Sequence, residues 1–333
     1  MKPTCIDLHT HIVPEQFPKY AGRGANVPWP SMADAHACHK HVMIHGKVYR
    51  TVSDGSWSVP RRIEAMNQMS VARQVISPMP ELLSYWLPLD DAQVLIRYLN
   101  DEIARMISLA PDRLIGLGAV PLQDVDAAIR ELEYVHGTLK FPGVEIASHV
   151  NGTSIGDPRF DPFFAAVKQR GAAVFVHALR PAGQDRIVGH FPEQAVCFPG
   201  DIALAAASMI TGGMAERHRD LRIAFSHGGG ALPILLPRID HAWKMVPKAK
   251  ESIPEPPTAY ARRFYYDALV FSPVSVRFLA DTYGVSQLIV GSDYPFAMGD
   301  PDPLATLQKT GLGPDVVAAI TSGNAQRFLK LGS

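Results

Sequence analysis

The sequence predicts a (β/α)8 barrel with a small insertion after its first strand. Three observations lead there: eight short apolar runs recur along the chain, segments of helical pattern alternate with them, and no Ser/Gly-rich linker divides the 333 residues. The first run covers 4–8, holds Ile6 and Leu8, and leads directly into two histidines. The others cover 73–76, 114–119, 144–147, 172–176, 221–225, 264–267 and 287–290. Helical patterns over 61–69, 90–109, 125–136, 162–170, 202–217 and 274–283 lie between them, the order expected of parallel strands joined by crossover helices. One barrel domain over 1–333 is therefore expected rather than two open-sheet domains. The stretch from about 14 to 60 breaks the rhythm, being rich in Pro, Gly, His and Lys and too long for an ordinary strand-to-helix connection. It reads as an inserted subdomain at the end of a strand, where barrels build their sites.

Composition narrows the function. With 47% hydrophobic and 19% charged residues the chain can bury a sizeable core and is not of disordered type. Lys plus Arg and Asp plus Glu both number 32, so no net field draws it to phosphate backbones and nucleic acid is not an expected partner. The three cysteines, Cys5, Cys38 and Cys197, are scattered without metal or redox spacing, which suits a reducing cytoplasm. The N-terminal residues form no apolar secretory core, and no uninterrupted apolar run is long enough to cross a bilayer, so no membrane association is expected.

The 13 histidines carry the chemistry. In Ile6-Asp7-Leu8-His9-Thr10-His11 two imidazoles stand two residues apart at the end of a strand, on one face, where both reach one ion. The fifth, sixth and eighth strands end in comparable groups: VFVH at His177, IAFSHGGG at His227 and LIVGSDYPF at Asp293. Strand ends of a barrel converge at its mouth, so these side chains gather there. Nitrogen and carboxylate donors suit one divalent transition metal per chain, Zn2+ first, with a position left for water making the site catalytic. His9, His11, His177 and Asp293 are the expected ligands. His227 is the candidate for proton transfer, its three glycines letting backbone and substrate come close. Asp7 shares the strand parity of His9 and is expected to be a buried carboxylate with a supporting role. His149 falls at the end of the fourth strand and is expected to be a hydrogen-bonded neighbour, and His36, His39, His41 and His45 to be ordinary loop histidines.

DLHTH, VFVH, SHGGG and GSDYPF, in that order, resemble the amidohydrolase superfamily, and within it the group of α-amino-β-carboxymuconate-ε-semialdehyde decarboxylases. GKVYR at 46–50, SYW at 84–86, RLIGLGAVPLQ at 113–123, FPGVEIASHVNG at 141–152, SMITGG at 208–213, PRIDHAW at 237–243 and YYDALV at 265–270 extend the likeness almost end to end. The resemblance implies a zinc-dependent, non-oxidative decarboxylase of a conjugated carboxylate. It implies the same four ligands, His227 as acid and base acting beside Asp293, Lys47 and Arg50 as pocket cations, and Phe296 as a ring-packing wall. It also implies a homodimer in which Arg238 crosses the interface to hold a substrate carboxylate. Forked guanidinium donors suit that task. The run after His177 departs from the family's Pro-Trp pair: it reads ALRPAGQDR, followed by VGHFPEQ. Arg180 and His190 there point to a substrate of different bulk or with an additional acceptor group. A hydrolase of the same superfamily, opening a lactone, amide or ring-cleavage product, is the competing reading, since the same metal site can activate water against a carbonyl.

Overall fold

A computed structural model describes residues 4–22 and 24–332. Eight parallel strands form one sheet in sequence order: β1 (Cys5–Ile12), β2 (Val71–Pro78), β3 (Leu114–Gly118), β4 (Gly143–Ala147), β5 (Ala173–His177), β6 (Arg222–Phe225), β7 (Tyr265–Asp267) and β8 (Leu288–Ile289). The ring closes where Leu8 N–H donates to Val290 O at 2.8 Å and Asp293 N–H to His9 O at 2.8 Å. Both faces of such strands are buried, which is why they read as nearly continuous apolar runs rather than alternating ones. Inside the ring pack Ile6, Leu8, Val75, Leu117, Phe175 and Ile289, with Phe328 and Leu329 of helix Asn324–Leu329 joining this cluster. The outer helices bury a second, larger cluster against the other face of the sheet.

Two departures from the sequence reading position the site. β1 runs on to Ile12, and its register against β2 passes from Asp7 opposite Gln74 to Thr10 opposite Ile76, three steps on one strand against two on the other. This bulge inverts the strand's parity. Leu8 and His9 therefore both face the barrel interior, and Asp7 is turned toward β8, where its carboxylate accepts Ser292 N–H at 3.0 Å and Ser292 Oγ–H at 2.5 Å. The helix after β5 begins at Glu193 and runs through Pro199 to Thr211, earlier than its apolar pattern alone suggests. At 19 residues it is long and apolar enough to cross a bilayer by length and composition, which amends the sequence reading. Here it lies on the barrel wall, burying Phe198, Ile202, Ala206 and Met209.

The segment between β1 and helix Val59–Gln68 folds into a three-stranded antiparallel sheet, Ser31–Asp34, His39–Ile44 and Lys47–Ser53. Val42 and Val52 anchor it on Met79, Leu82, Leu95 and Leu99 beside the barrel mouth. The middle and last strands pair through Val42 opposite Arg50, and this brings Arg50 toward the ends of the barrel strands.

Candidate active site

At the C-terminal mouth, His9 and His11 of β1, His177 at the end of β5 and Asp293 just after β8 come together, one donor atom from each lying within 4.8 Å of the others. His9 Nε2 is 3.1 Å from His11 Nε2, and Asp293 Oδ1 is 3.5 Å from the first and 3.2 Å from the second. Ligand atoms each ~2.1 Å from one ion stand roughly 3.0–3.4 Å apart, so these separations fit a shared cation. The hydrogen-bond pattern fits it too. His9 Nδ1 meets Asp267 Oδ2 at 2.7 Å, His11 Nδ1 meets Pro78 O at 3.1 Å and His177 Nδ1 meets Ala178 O at 2.8 Å. Each Nδ1 thus donates to an oxygen and each Nε2 offers a lone pair to the common centre, as metal-bound imidazoles do. Buried His177 Nε2 and Asp293 Oδ1 have no hydrogen-bond partner among the described residues.

The electrostatics have the same sense. Burial pushes the Asp293 carboxyl up, but the adjacent imidazoles of His11, His9 and His227 outweigh this and hold it down at about 2. Burial disfavours charge on His9, yet Asp267, Asp293 and Glu145 raise it to about 9. Three carboxylates around two strands' worth of imidazole make a pocket that favours positive charge. Burial, followed by the charges of His9, His11 and His227, drives His177 well below its ordinary range and keeps its lone pair free.

His227 follows β6, half-buried, with its ring centroid 5.3 Å from that of His9 and 5.1 Å from that of His177. Its Nδ1 lies 3.1 Å from Ser226 Oγ, and burial together with the charge of His9 lowers it to about 4. His227 and Asp293 both sit at left-handed φ, 54° and 60°, which non-glycine residues adopt at a cost of ~1 kcal/mol. The three glycines after His227 serve chain packing rather than substrate approach: Cβ atoms there would strike Leu279, the Tyr266 ring and the Pro199 carbonyl. Gly291 has a comparable duty, since a Cβ would lie 2.9 Å from that of His9 and 2.8 Å from that of Asp267.

The cluster opens into a cavity of about 500 Å³ lined by Arg50, Glu81, His177, Phe198, Asp293 and Phe296 among others. Phe296 stacks on His11 with centroids 5.3 Å apart, and the Arg50 guanidinium carbon lies 4.6 Å from the Phe296 ring centroid, giving an aromatic wall with a cation against it. Lys47 is not in this arrangement. It is exposed at the hairpin turn, paired with Ile44. Arg238 is exposed on helix Leu232–Met245 and does not line the cavity of its own chain. His190 is exposed in the loop after β5. His149 borders a neighbouring cavity, with Nε2 3.4 Å from Arg180 O. Of the four histidines at 36–45, His39 borders the main cavity, and none joins the ligand cluster.

Sequence reasoning passed over Asp267 and Glu145. Asp267 ends β7, and besides its bond to His9 it accepts His227 N–H at 3.0 Å and Gly228 N–H at 2.9 Å. It stood in YYDALV at a strand end, the same positional signal that marked His177. Glu145 is wholly buried in β4, 3.7 Å from His11 Nδ1, and burial raises its carboxyl. A lone glutamate inside an apolar run gave no comparable signal.

A closed parallel barrel whose strand ends gather three imidazoles and a carboxylate defines a barrel enzyme of the metal-dependent class. The chain belongs to the amidohydrolase family, whose model matches residues 6–331. It is similar to 2-amino-3-carboxymuconate-6-semialdehyde decarboxylase of Dictyostelium discoideum, with 35% identity over 98% of this chain and 91% of that one. Among solved structures it is similar to IDCase of Metarhizium anisopliae, with TM-score 0.84 and 22% identity over 98% of this chain and 97% of that one. It is also similar to a dihydroxybenzoic acid decarboxylase of Polaromonas sp. JS666 that contains manganese, with TM-score 0.73 and 23% identity over 81% of this chain and 85% of that one.

Proposed function

We propose that this protein is a metal-dependent, non-oxidative decarboxylase of a conjugated or aromatic carboxylate, related in substrate type to the muconate semialdehyde enzymes, with Zn2+ as its resident ion. The observation that carries this reading is that a guanidinium, an aromatic wall and the ligand cluster line one cavity of about 500 Å³. His9, His11, His177 and Asp293 would hold the ion, which when bound supplies Lewis-acid charge to substrate oxygens. Arg50 grips a carboxylate through forked donors, and the Phe296 ring keeps a planar substrate flat beside it. In that pose the bond from substrate carbon to carboxylate breaks, its electron pair passes into the substrate's own conjugated system, and CO2 leaves. The proton that replaces it travels through His227, whose Nε2 is the nitrogen not turned toward Ser226.

A homodimer forms part of the same reading. Helix Leu232–Met245 exposes Ile234, Leu235 and Met245 around Arg238, an apolar setting that a second copy would cover while delivering Arg238 to its neighbour's cavity. The three thiols are all free, in keeping with a cytoplasmic location. The test is CO2 release from a panel of carboxylated muconate semialdehydes and hydroxybenzoates, with metal content and sedimentation measured on the same sample. Hydrolysis of lactones without any CO2 release would overturn the reading.

A further inference from the structure

The wall of the same cavity holds a carboxylate for which the reaction above has no use. Glu81 lies in the turn Pro80–Leu83 after β2, lines the cavity with Arg50, and is only 2% exposed. Its Oε1 accepts the Tyr49 hydroxyl, and burial, reinforced by Glu81, pushes that phenol far above its ordinary range, so it stays a donor. Its Oε2 is buried with no hydrogen-bond partner among the described residues. A buried carboxylate oxygen without a donor is costly to keep, and such a group in a cavity wall is completed by what enters the cavity.

Arg180 does not complete it. Its guanidinium lies on the Trp86 ring, 3.2 Å from the centroid, and borders the neighbouring cavity with Ser148, His149 and Asp201. Burial lowers Arg180, and the negative charges of Glu81 and Glu193 counter this. The residue that the sequence offered as a donor for an additional substrate acceptor is therefore already engaged, and the open valence in the wall is an acceptor.

Resting on the decarboxylase reading, we infer that Glu81 is a specificity-determining residue that accepts a hydrogen bond from an amino or hydroxyl group of the substrate, remote from the carboxylate held by Arg50. A guanidinium and a carboxylate on one cavity wall admit a planar amino or hydroxy acid in one direction only. The reverse orientation sets carboxylate against carboxylate.

The test uses metal-loaded protein and calorimetric titration with 2-, 3- and 4-aminobenzoate, each paired with the methylbenzoate of the same substitution. At one position at least, the amino compound binds roughly 10- to 100-fold tighter than its methyl partner. Glu81→Gln cuts that preference at least about fivefold and Glu81→Leu abolishes it, while the methyl compounds change by less than about threefold. Should Glu81→Leu fail to fold, Glu81→Gln decides alone. No amino preference in the wild type, or a preference that survives Glu81→Gln undiminished, overturns the assignment. Amino preference with no CO2 release from any substrate would leave Glu81 in its role and remove the decarboxylase reading; CO2 release without amino preference would do the opposite.

Discussion

The floor and the wall of the cavity are built on different principles. Floor residues His9, His11, His177 and Asp293 sit on or directly beside barrel strands, and the Nδ1 of each imidazole is pinned by Asp267, Pro78 O or Ala178 O. Wall residues come from connections: Arg50 from the inserted sheet, Glu81 from a turn, Phe296 from the loop after β8, with Arg180 just behind. A rigid ring fixes the chemistry, and loops of variable sequence choose what is presented to it.

Substitutions on the two surfaces should separate along that line. The largest effect belongs to the floor: Asp293→Ala removes a ligand, and we expect loss of bound metal by elemental analysis with activity down ~10³-fold or more. His227→Ala keeps the metal and loses roughly 10²- to 10⁴-fold in kcat. A His227→Ala protein with full turnover would remove it from the proton path. Asp267→Asn retains shape but withdraws the charge behind His9. Metal titration should show affinity weakened by ~10- to 100-fold, with kcat falling too, because the same carboxylate holds the His227 backbone. On the wall, Arg50→Met should raise KM roughly tenfold or more while metal content is unchanged. Lys47→Met, at the exposed hairpin turn, should alter neither parameter by more than about twofold, since surface changes are usually small. Equal effects at 47 and 50 would show that the hairpin turn, and not Arg50 alone, contributes to the wall.

The same division explains what could be read from the chain. Strand ends announce themselves because an apolar run stopping on His or Asp is conspicuous, and all four residues that gather at the mouth were visible that way. The barrel itself followed from the alternation of runs and helices. Parity within β1 was misjudged, because a bulge depends on how two strands pair and leaves no mark in one strand's residues. Asp267 carried that same strand-end signal in YYDALV, whereas Glu81 stayed hidden because its importance lies in Tyr49, a partner on a separate element. Lys47 and Arg50 look alike in GKVYR, yet one reaches the cavity and the other ends at the turn, a matter of hairpin geometry.

The bulge in β1 splits one strand into two units with separate allegiances. Ahead of it Ile6 and Leu8 pack inside the ring, and beyond it His9 and His11 turn into the mouth. Apolar exchanges at Ile6 or Leu8 can retune thermal resistance without touching catalysis. Removing Leu8 would straighten the strand yet keep Asp7 opposite Gln74 and Thr10 opposite Ile76, so both imidazoles would stay turned to the mouth: the extra residue marks the place where this strand can be shortened by one without reversing the side chains that build the site.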